Sequence, residues 1–190
     1  MAYIVGLAGP GLVGKSTTAK RTVLALCGLY GHINVDRYAF AQPIYEVASQ
    51  LTGIPIDTLK DPVYKETEWN AVNAPMPCLI GWTPRKFLQK IGTECFRDNI
   101  GQSFWIESAL RKVSEWDIAI MEDTRFPNEF HQCDMIIELH RKGIAYAENH
   151  ISAMPPDQSL VNHHVEVYEG MSYNDLAKII FHDFDNQWVP

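Results

Sequence analysis

A glycine-rich stretch near the start of the chain has the residue types and spacing needed to bind phosphate. Residues 9–16 (GPGLVGKS) follow an apolar run at residues 3–8 and precede a segment that opens with Thr17. This order predicts a strand, a tight turn and a helix, which is the context of a phosphate-binding P-loop. Glycines let successive N–H groups point into one concavity, and the helix N-terminus adds partial positive charge. We therefore expect phosphate contacts from Gly11, Val13, Gly14, Lys15, Ser16 and Thr17.

Two side chains of this loop, together with a distant carboxylate, predict ATP and Mg²⁺ as ligands. Lys15 is expected to reach the β- and γ-phosphates of ATP, and the Ser16 hydroxyl is expected to ligate Mg²⁺. P-loop proteins hold the metal near an acidic residue that closes a buried strand, and Asp123 follows the apolar run at residues 118–121. Asp123 is therefore the predicted metal-side carboxylate. The alternatives are an ordinary glycine turn and a solvated loop carboxylate.

Two arginines are candidates for contact with a transferring phosphoryl group. Arg125 lies at the same predicted strand end as Asp123, and its planar guanidinium can bind two phosphoryl oxygens at once. Its alternative is a surface ion pair with Glu122 or Glu129. Arg141 follows a later strand and opens an irregular segment that contains His150, so it is a candidate lid arginine. The predicted catalytic residues are thus Lys15, Asp123, Arg125 and Arg141.

The helix predicted after Thr83-Pro84 presents Arg85 and Gln89 one turn apart on a common face. Arginine suits a phosphate, and glutamine offers both a donor and an acceptor to the edge of a base. The alternative is that both side chains are simply solvated. His163 and His164 have no plausible metal partners nearby in the sequence, so we interpret them as polar loop or strand residues.

These candidates require a scaffold that brings strand ends to one edge. Apolar runs predict strands at 3–8, 33–40, 118–121, 135–139 and 164–167, and helical patterns occur at 15–29, 43–51, 84–99, 104–114, 126–129 and 172–182. The alternation predicts an α/β fold, a doubly wound parallel sheet in one domain spanning 1–190, with ligands outside the carboxyl ends of the strands. Residues 54–82, with a short helix near 57–60, and residues 141–162 are predicted to be mobile inserts.

Composition narrows the classes of partner. A formal net charge of −7 argues against a nucleic-acid polymer, because binding to a phosphate backbone depends on excess lysine and arginine. No apolar run approaches the roughly 20 residues that span a bilayer, and the N-terminus lacks the basic region of a signal peptide. The four cysteines are irregularly spaced without a CxxC pair, which favours reduced thiols in a cytoplasmic protein.

Ordered blocks over most of the chain resemble the phage-encoded deoxynucleoside monophosphate kinases, a family of P-loop kinases. The specific blocks are residues 85–94 (RKFLQKIGTE) and residues 123–129, where Asp-Thr-Arg is followed by Asn128-Glu129. The other blocks are Gly14-Lys15, residues 38–44 (YAFAQPI), Trp105, residues 150–152 (HIS) and a tail at 162–176.

The resemblance implies that a set of residues contacts or frames a deoxynucleotide, with Gln89 reading its base. These residues are Phe40, Arg85, Gln89, Gly92, Thr93, Trp105, Asp123, Arg125 and Glu129. On periodicity alone, Trp105 is instead a core residue. The resemblance also implies a mobile nucleotide-binding insert, a lid and a homodimer in the host cytoplasm.

The chain departs from the family pattern at two positions. Tyr45 stands where members often have lysine, so a phosphate contact is either lost or supplied by Lys60 or Lys65. Ala153 stands where the family has an acidic residue after His-x-Ser, which leaves the chemistry of the lid open.

The resulting hypothesis is transfer of the γ-phosphoryl group of ATP to a deoxynucleoside monophosphate. The acceptor is already an anionic oxygen, so no general base is required. The alternatives are a P-loop kinase of another small metabolite, such as dephospho-coenzyme A or a sugar acid, and a nucleotide-dependent switch that is not a kinase.

Overall fold

Five parallel strands form one sheet in the computed structural model, which describes residues 1–146 and 155–188. The strands are β1 Tyr3–Ala8, β2 Val35–Tyr38, β3 Ile118–Met121, β4 Met135–His140 and β5 His163–Glu166. Their order is β2-β3-β1-β4-β5, which places β1 at the centre. β1 and β3 are buried along their whole length, as expected for parallel strands covered on both faces. The α/β fold with a parallel sheet, predicted from the sequence, is confirmed.

The helices follow the predicted segments with small differences at their ends. They are α1 Lys15–Leu29, α2 Gln42–Thr52, α3 Ile56–Lys60, α4 Pro62–Glu66, α5 Pro84–Gln89, α6 Phe104–Val113, α7 Pro127–Phe130 and α8 Tyr173–Trp188. α8 continues beyond the predicted end at residue 182. The reason is that Phe181 and Phe184 still face the core, where Phe181 stacks on Tyr30 at 3.7 Å and Phe184 meets the edge of Tyr3.

Contact within the chain divides it into two compact units, Met1–Phe40 with Lys112–Pro190, and Ala41–Arg111. We call the first the sheet unit and the second the helical unit. The sheet unit contains all five strands, and its main core lies between the sheet and the helices α1 and α8. The single domain predicted for residues 1–190 stays a prediction, because compactness does not report on independent folding.

The helical unit has its own apolar core, although most of its inserted segment lacks clear periodicity. Side chains from α2, α3, α5 and α6 pack around the buried residues Ala48, Leu59 and Trp105. Trp69 anchors the 54–82 segment: it is fully buried, and its indole N–H donates to the Tyr64 hydroxyl at 3.1 Å. Two short helices, α3 and α4, lie in this segment, of which the sequence predicted one.

The predicted helix at 84–99 changes its hydrogen-bond pattern halfway. Thr83 caps α5 by accepting a bond from the Lys86 N–H at 3.2 Å, as the Thr-Pro start predicts. Residues Lys90–Arg97 then form a π-helical stretch. Such stretches change the phase of a helix and are frequent at functional sites. In the described residues, no helix is both long and apolar enough to cross a bilayer.

Candidate functional site

The loop between β1 and α1 has the backbone geometry of an anion cradle. Gly9 and Gly14 adopt φ angles of +142° and +108°, which side-chain-bearing residues rarely accept. Gly14 is the N-cap of α1, and no described side chain caps this helix end. The first N–H groups of the 15-residue helix therefore lack a side-chain cap in the described part of the chain, and together with the positive end of the helix dipole they suit an anion.

We expect Gly9→Ala to destabilise the protein by about 1–3 kcal/mol, because it forces a non-glycine residue into a strained φ. A Cβ at position 9 would also lie 2.8 Å from the Leu139 carbonyl oxygen. Gly11→Ala is the matched control in the same loop: a Cβ there meets no described atom within 4 Å. Urea unfolding of both variants measures the difference. Equal stabilities would contradict the cradle geometry.

Lys15 lies folded over its own loop. Its Nζ donates to the carbonyl oxygens of Gly9 at 2.7 Å and Pro10 at 3.0 Å, and lies 3.5 Å from Asp123 Oδ1. Burial lowers the pKa of Lys15; the Asp123 carboxylate opposes this change, and the Arg125 charge adds to it. Among the described residues, the largely buried ammonium group contacts two neutral carbonyl acceptors and one carboxylate, so a phosphate anion would be a stronger partner.

Asp123 connects the loop to Arg125. Arg125 makes two parallel contacts with this carboxylate, Nε to Oδ1 at 2.8 Å and Nη2 to Oδ2 at 2.8 Å. The carboxylate that pairs with the Arg125 guanidinium in these contacts is thus Asp123, whereas Glu122 pairs with Arg37 at 2.7 Å. Asp123 thus lies between two cations and is about one-third exposed, which leaves it reachable by a metal ion. Ser16, in the first turn of α1, is also exposed.

Glu129 holds the backbone that carries Arg125. Its buried carboxylate accepts the N–H groups of Arg125 at 2.8 Å and Phe126 at 3.1 Å, at the start of α7. Two bonds from one carboxylate fix the course of the chain after Asp123. In this structure Glu129 therefore positions the Arg125 loop, and its predicted contact with a nucleotide stays a prediction.

The helical unit contains a separate cavity of about 210 Å³. Predicted substrate residues from α5 and the π-helical stretch line one part of it, namely Arg85, Gln89, Gly92 and Thr93. The remaining lining residues are Ala41, Ile44, Tyr45, Lys65, Leu88 and Arg97. Three of the ten lining residues are cationic and none is acidic, although Arg85 also forms an ion pair with Glu66 outside the lining. This cavity suits an anionic ligand that also has an apolar part.

Lysines surround the position where tyrosine replaces the family's lysine. Lys65 Nζ donates to the Tyr45 hydroxyl at 2.7 Å and lies 5.0 Å from the ring centroid. Lys60 Nζ lies 5.5 Å from the centroid of the same ring and donates to the Gln42 side-chain oxygen at 2.7 Å. Lys65 also lines the cavity. The structure therefore brings both proposed substitutes for the missing lysine to Tyr45.

The two aromatic residues among the predicted substrate residues, Trp105 and Phe40, are buried. Trp105 is 2% exposed, packs on Phe96 and Phe104, and donates its indole N–H to the Gly92 carbonyl oxygen at 2.8 Å. It therefore supports the cavity wall at Gly92 from behind. Phe40, at the end of the sheet unit, is also 2% exposed.

Arg141 directly follows β4, and His164 lies on the neighbouring strand β5. Arg141 is exposed and pairs with Ile144 in a short antiparallel bridge directly after β4. His150 and Ala153 lie outside the described residues. His163 and His164 lie on β5, in agreement with their interpretation as polar loop or strand residues. Potential metal ligands nevertheless lie beside His164: its Nδ1 is 3.2 Å from Glu138 Oε2 and 3.3 Å from His140 Nε2. The residues were separated in sequence, and only the pairing of β4 with β5 brings them together.

Comparison with known proteins gives one informative similarity. No protein-family model matches the chain. The chain is 26% identical over 181 residues to the deoxynucleoside-5′-monophosphate kinase of Escherichia phage T5, and the match covers 68% of this chain and 70% of that protein. This distant similarity agrees with the resemblance identified from the sequence blocks.

Proposed function

We propose that the protein is an ATP-dependent deoxynucleoside monophosphate kinase, which yields ADP and a deoxynucleoside diphosphate. The observation that carries the proposal is that one chain has two surfaces suited to an anion, the loop between β1 and α1 in the sheet unit and the cationic cavity of the helical unit. A nucleotide switch requires only the first surface. The similarity to a phage kinase supports the same substrate class.

The phosphate loop is the proposed site of ATP. The N–H groups at the start of α1 would bind the β- and γ-phosphates, and Lys15 would exchange its loop carbonyl partners for phosphate oxygens. The exposed Ser16 hydroxyl and Asp123 carboxylate have the hard oxygen donors that Mg²⁺ prefers. When bound, Mg²⁺ neutralises charge on the β- and γ-oxygens.

Arg125 is the proposed partner of the transferring group. It is held bidentately by Asp123, and its backbone is fixed by Glu129. Binding of a phosphate with two oxygens in the same geometry would replace one bidentate pair by another. No base is needed, since the acceptor is a phosphate oxygen; positioning and charge neutralisation supply the catalysis.

The cavity of the helical unit is the proposed site of the acceptor mononucleotide. Its lining combines three cationic side chains with apolar ones around a volume of about 210 Å³. The apolar wall from Ile44 and Leu88 suits a base, and Gln89 offers it a donor and an acceptor. Arg85 and Lys65 would bind the acceptor phosphate.

A panel of phosphoryl acceptors tests the proposal. ADP release is measured with ATP, Mg²⁺ and each common deoxynucleoside and ribonucleoside monophosphate, and with dephospho-coenzyme A and a sugar acid as rivals. We expect release that depends on an added deoxynucleoside monophosphate. Activity confined to another metabolite, or ADP release independent of any acceptor, would overturn it.

Arg85→Ala is expected to lower kcat/KM for the mononucleotide by about 10- to 100-fold, because a charge-assisted hydrogen bond contributes about 1.5–3 kcal/mol. The KM for ATP should stay unchanged, since Arg85 lies in the helical unit. Lys86→Ala is the control: Lys86 is an exposed cation on the same helix that does not line the cavity. Steady-state kinetics with each substrate varied in turn make the comparison. An equal loss in both variants would contradict the assignment.

A further inference from the structure

Three potential metal ligands meet where the second half of β4 pairs with the first half of β5. Glu138 and His140 are two residues apart on β4, so their side chains share one face of the sheet. His164 on β5 is the register partner of Glu138. The intervening residue Leu139 points into the main core on the opposite face. Strand pairing thus places one carboxylate and two imidazoles side by side.

The ligand atoms form a nearly equilateral triangle. Glu138 Oε2 lies 3.3 Å from His140 Nε2 and 3.2 Å from His164 Nδ1, and the two ring nitrogens are 3.3 Å apart. A tetrahedral ion with bonds of about 2.0–2.1 Å, the range for zinc, requires its ligands to be about 3.3–3.4 Å apart. An octahedral ion with bonds of about 2.1 Å requires about 3.0 Å. The observed triangle therefore has the size of one face of a zinc tetrahedron.

We propose that Glu138, His140 and His164 form a binding site for Zn²⁺ or a similar transition-metal ion. Two imidazole nitrogens select such ions over Mg²⁺, which prefers oxygen ligands and keeps its waters. Both histidines are about half exposed, so an ion can enter from solvent and keep a water or another ligand at the fourth position. Three protein ligands with an open position is the arrangement of many zinc sites that are not purely structural.

The carboxylate is built into the protein rather than displayed on its surface. The Glu138 side chain is 2% exposed, and burial of a carboxylate is costly unless it is hydrogen-bonded and compensated by positive charge. The Tyr146 hydroxyl donates to Oε1 at 2.7 Å, and the Gln158 amide donates to Oε2 at 3.2 Å. These donors orient the carboxylate, as hydrogen-bond partners of metal ligands commonly do. Both donors are neutral, so they do not compensate the negative charge of the carboxylate. A divalent cation would compensate it.

The residues of this site differ from those proposed for Mg²⁺. Ser16 and Asp123 would hold Mg²⁺ at the phosphate loop, whereas the three ligands here lie on β4 and β5 and none of them has a role in the proposed kinase reaction. The proposal therefore stands independently of the proposed function.

Metal titration of the full-length, metal-free protein tests the proposal. Co²⁺ replaces Zn²⁺ in tetrahedral sites and gives visible absorption there, and calorimetry gives the stoichiometry and affinity for Zn²⁺. We expect one equivalent of either ion to bind, with the tetrahedral Co²⁺ spectrum.

Three histidine variants locate the ion. His140→Ala and His164→Ala are each expected to weaken Zn²⁺ affinity by about 100-fold or more, because each removes one of three ligands. His163→Ala is the matched control, since His163 precedes His164 on β5 and points to the other face. Circular dichroism verifies that the three variants are folded. We expect them to fold, because His140 and His164 are exposed and His163 is partly exposed. Absence of stoichiometric binding, an octahedral Co²⁺ spectrum, or equal affinity in all three variants would overturn the proposal in favour of a metal-free carboxylate–histidine pair.

Discussion

Replacing Lys15 with alanine is expected to lower kcat for nucleotide phosphorylation by about 10²- to 10³-fold, the range observed when one donor to a developing charge is removed. Lys15 is the cation that the structure holds over the phosphate loop, with Nζ within 3.0 Å of two loop carbonyl oxygens. Those bonds keep the side chain folded over the cradle until an anion takes their place. The loop backbone and the α1 N-terminus remain in the variant, so ATP binding should weaken less than turnover falls.

Lys20→Ala is the control for this prediction, because Lys20 is an exposed cation on the same helix, just after the first turn. It should retain the parental kcat. Thermal unfolding of both variants should give melting temperatures within a few degrees of the parent, since each loses at most about 1–2 kcal/mol of surface or loop interaction. Near-parental turnover in Lys15→Ala would refute the assignment of the loop.

Replacing Asp123 with asparagine is expected to lower kcat by about 10²-fold and to raise the Mg²⁺ concentration required for half-maximal activity. The substitution removes the negative charge that lies between Lys15 and Arg125. It also removes a hard, charged oxygen ligand, and it leaves the guanidinium of Arg125 without its bidentate acceptor. Loss of metal affinity and loss of the partner that holds Arg125 before phosphate binds therefore act in the same direction.

Activity measured as a function of Mg²⁺ concentration separates the two effects. Saturating Mg²⁺ should restore part of the loss in kcat that comes from weaker metal binding. It should restore none of the loss that comes from the broken contact between Asp123 and Arg125. Asp185→Asn, which changes an exposed carboxylate on α8, should leave the Mg²⁺ dependence unchanged. A parental Mg²⁺ dependence in Asp123→Asn would exclude this carboxylate from the metal site.

The phosphate loop was predictable because its determinants are local. A strand, a glycine turn and a lysine at the start of a helix lie within twenty residues, and the structure reproduces them with α1 beginning at Lys15. The contact between Asp123 and Lys15 is long-range, but it follows from parallel topology. β3 pairs directly with β1, so their carboxyl ends share one edge of the sheet.

The residues that surround the predicted site residues of the helical unit were harder to predict from the sequence. The π-helical stretch Lys90–Arg97 has no sequence signal as specific as a cap, yet it brings Arg97 to the cavity together with Gly92 and Thr93. The contact between Lys65 and Tyr45 joins α4 to α2. It depends on how short helices pack in a segment whose sequence has little periodicity.

The cluster of Glu138, His140 and His164 was also not predictable, because it depends on the pairing of two strands that are distant in sequence. A buried strand with a glutamate and a histidine two residues apart is unremarkable alone, and His164 is 24 positions from His140. Only the register of β5 against β4 makes them neighbours. The predicted strand began at His164, one residue later than observed, and no pattern in the sequence indicated which strand it pairs with.

The most direct measurement follows the γ-phosphoryl group of ATP itself. The protein is incubated with Mg²⁺, ATP labelled at the γ-position and each deoxynucleoside monophosphate, and the products are separated. The proposed function predicts label in the β-position of a deoxynucleoside diphosphate, formed in equal amount to ADP. Label recovered only as inorganic phosphate, at a rate indifferent to the mononucleotide, would contradict it.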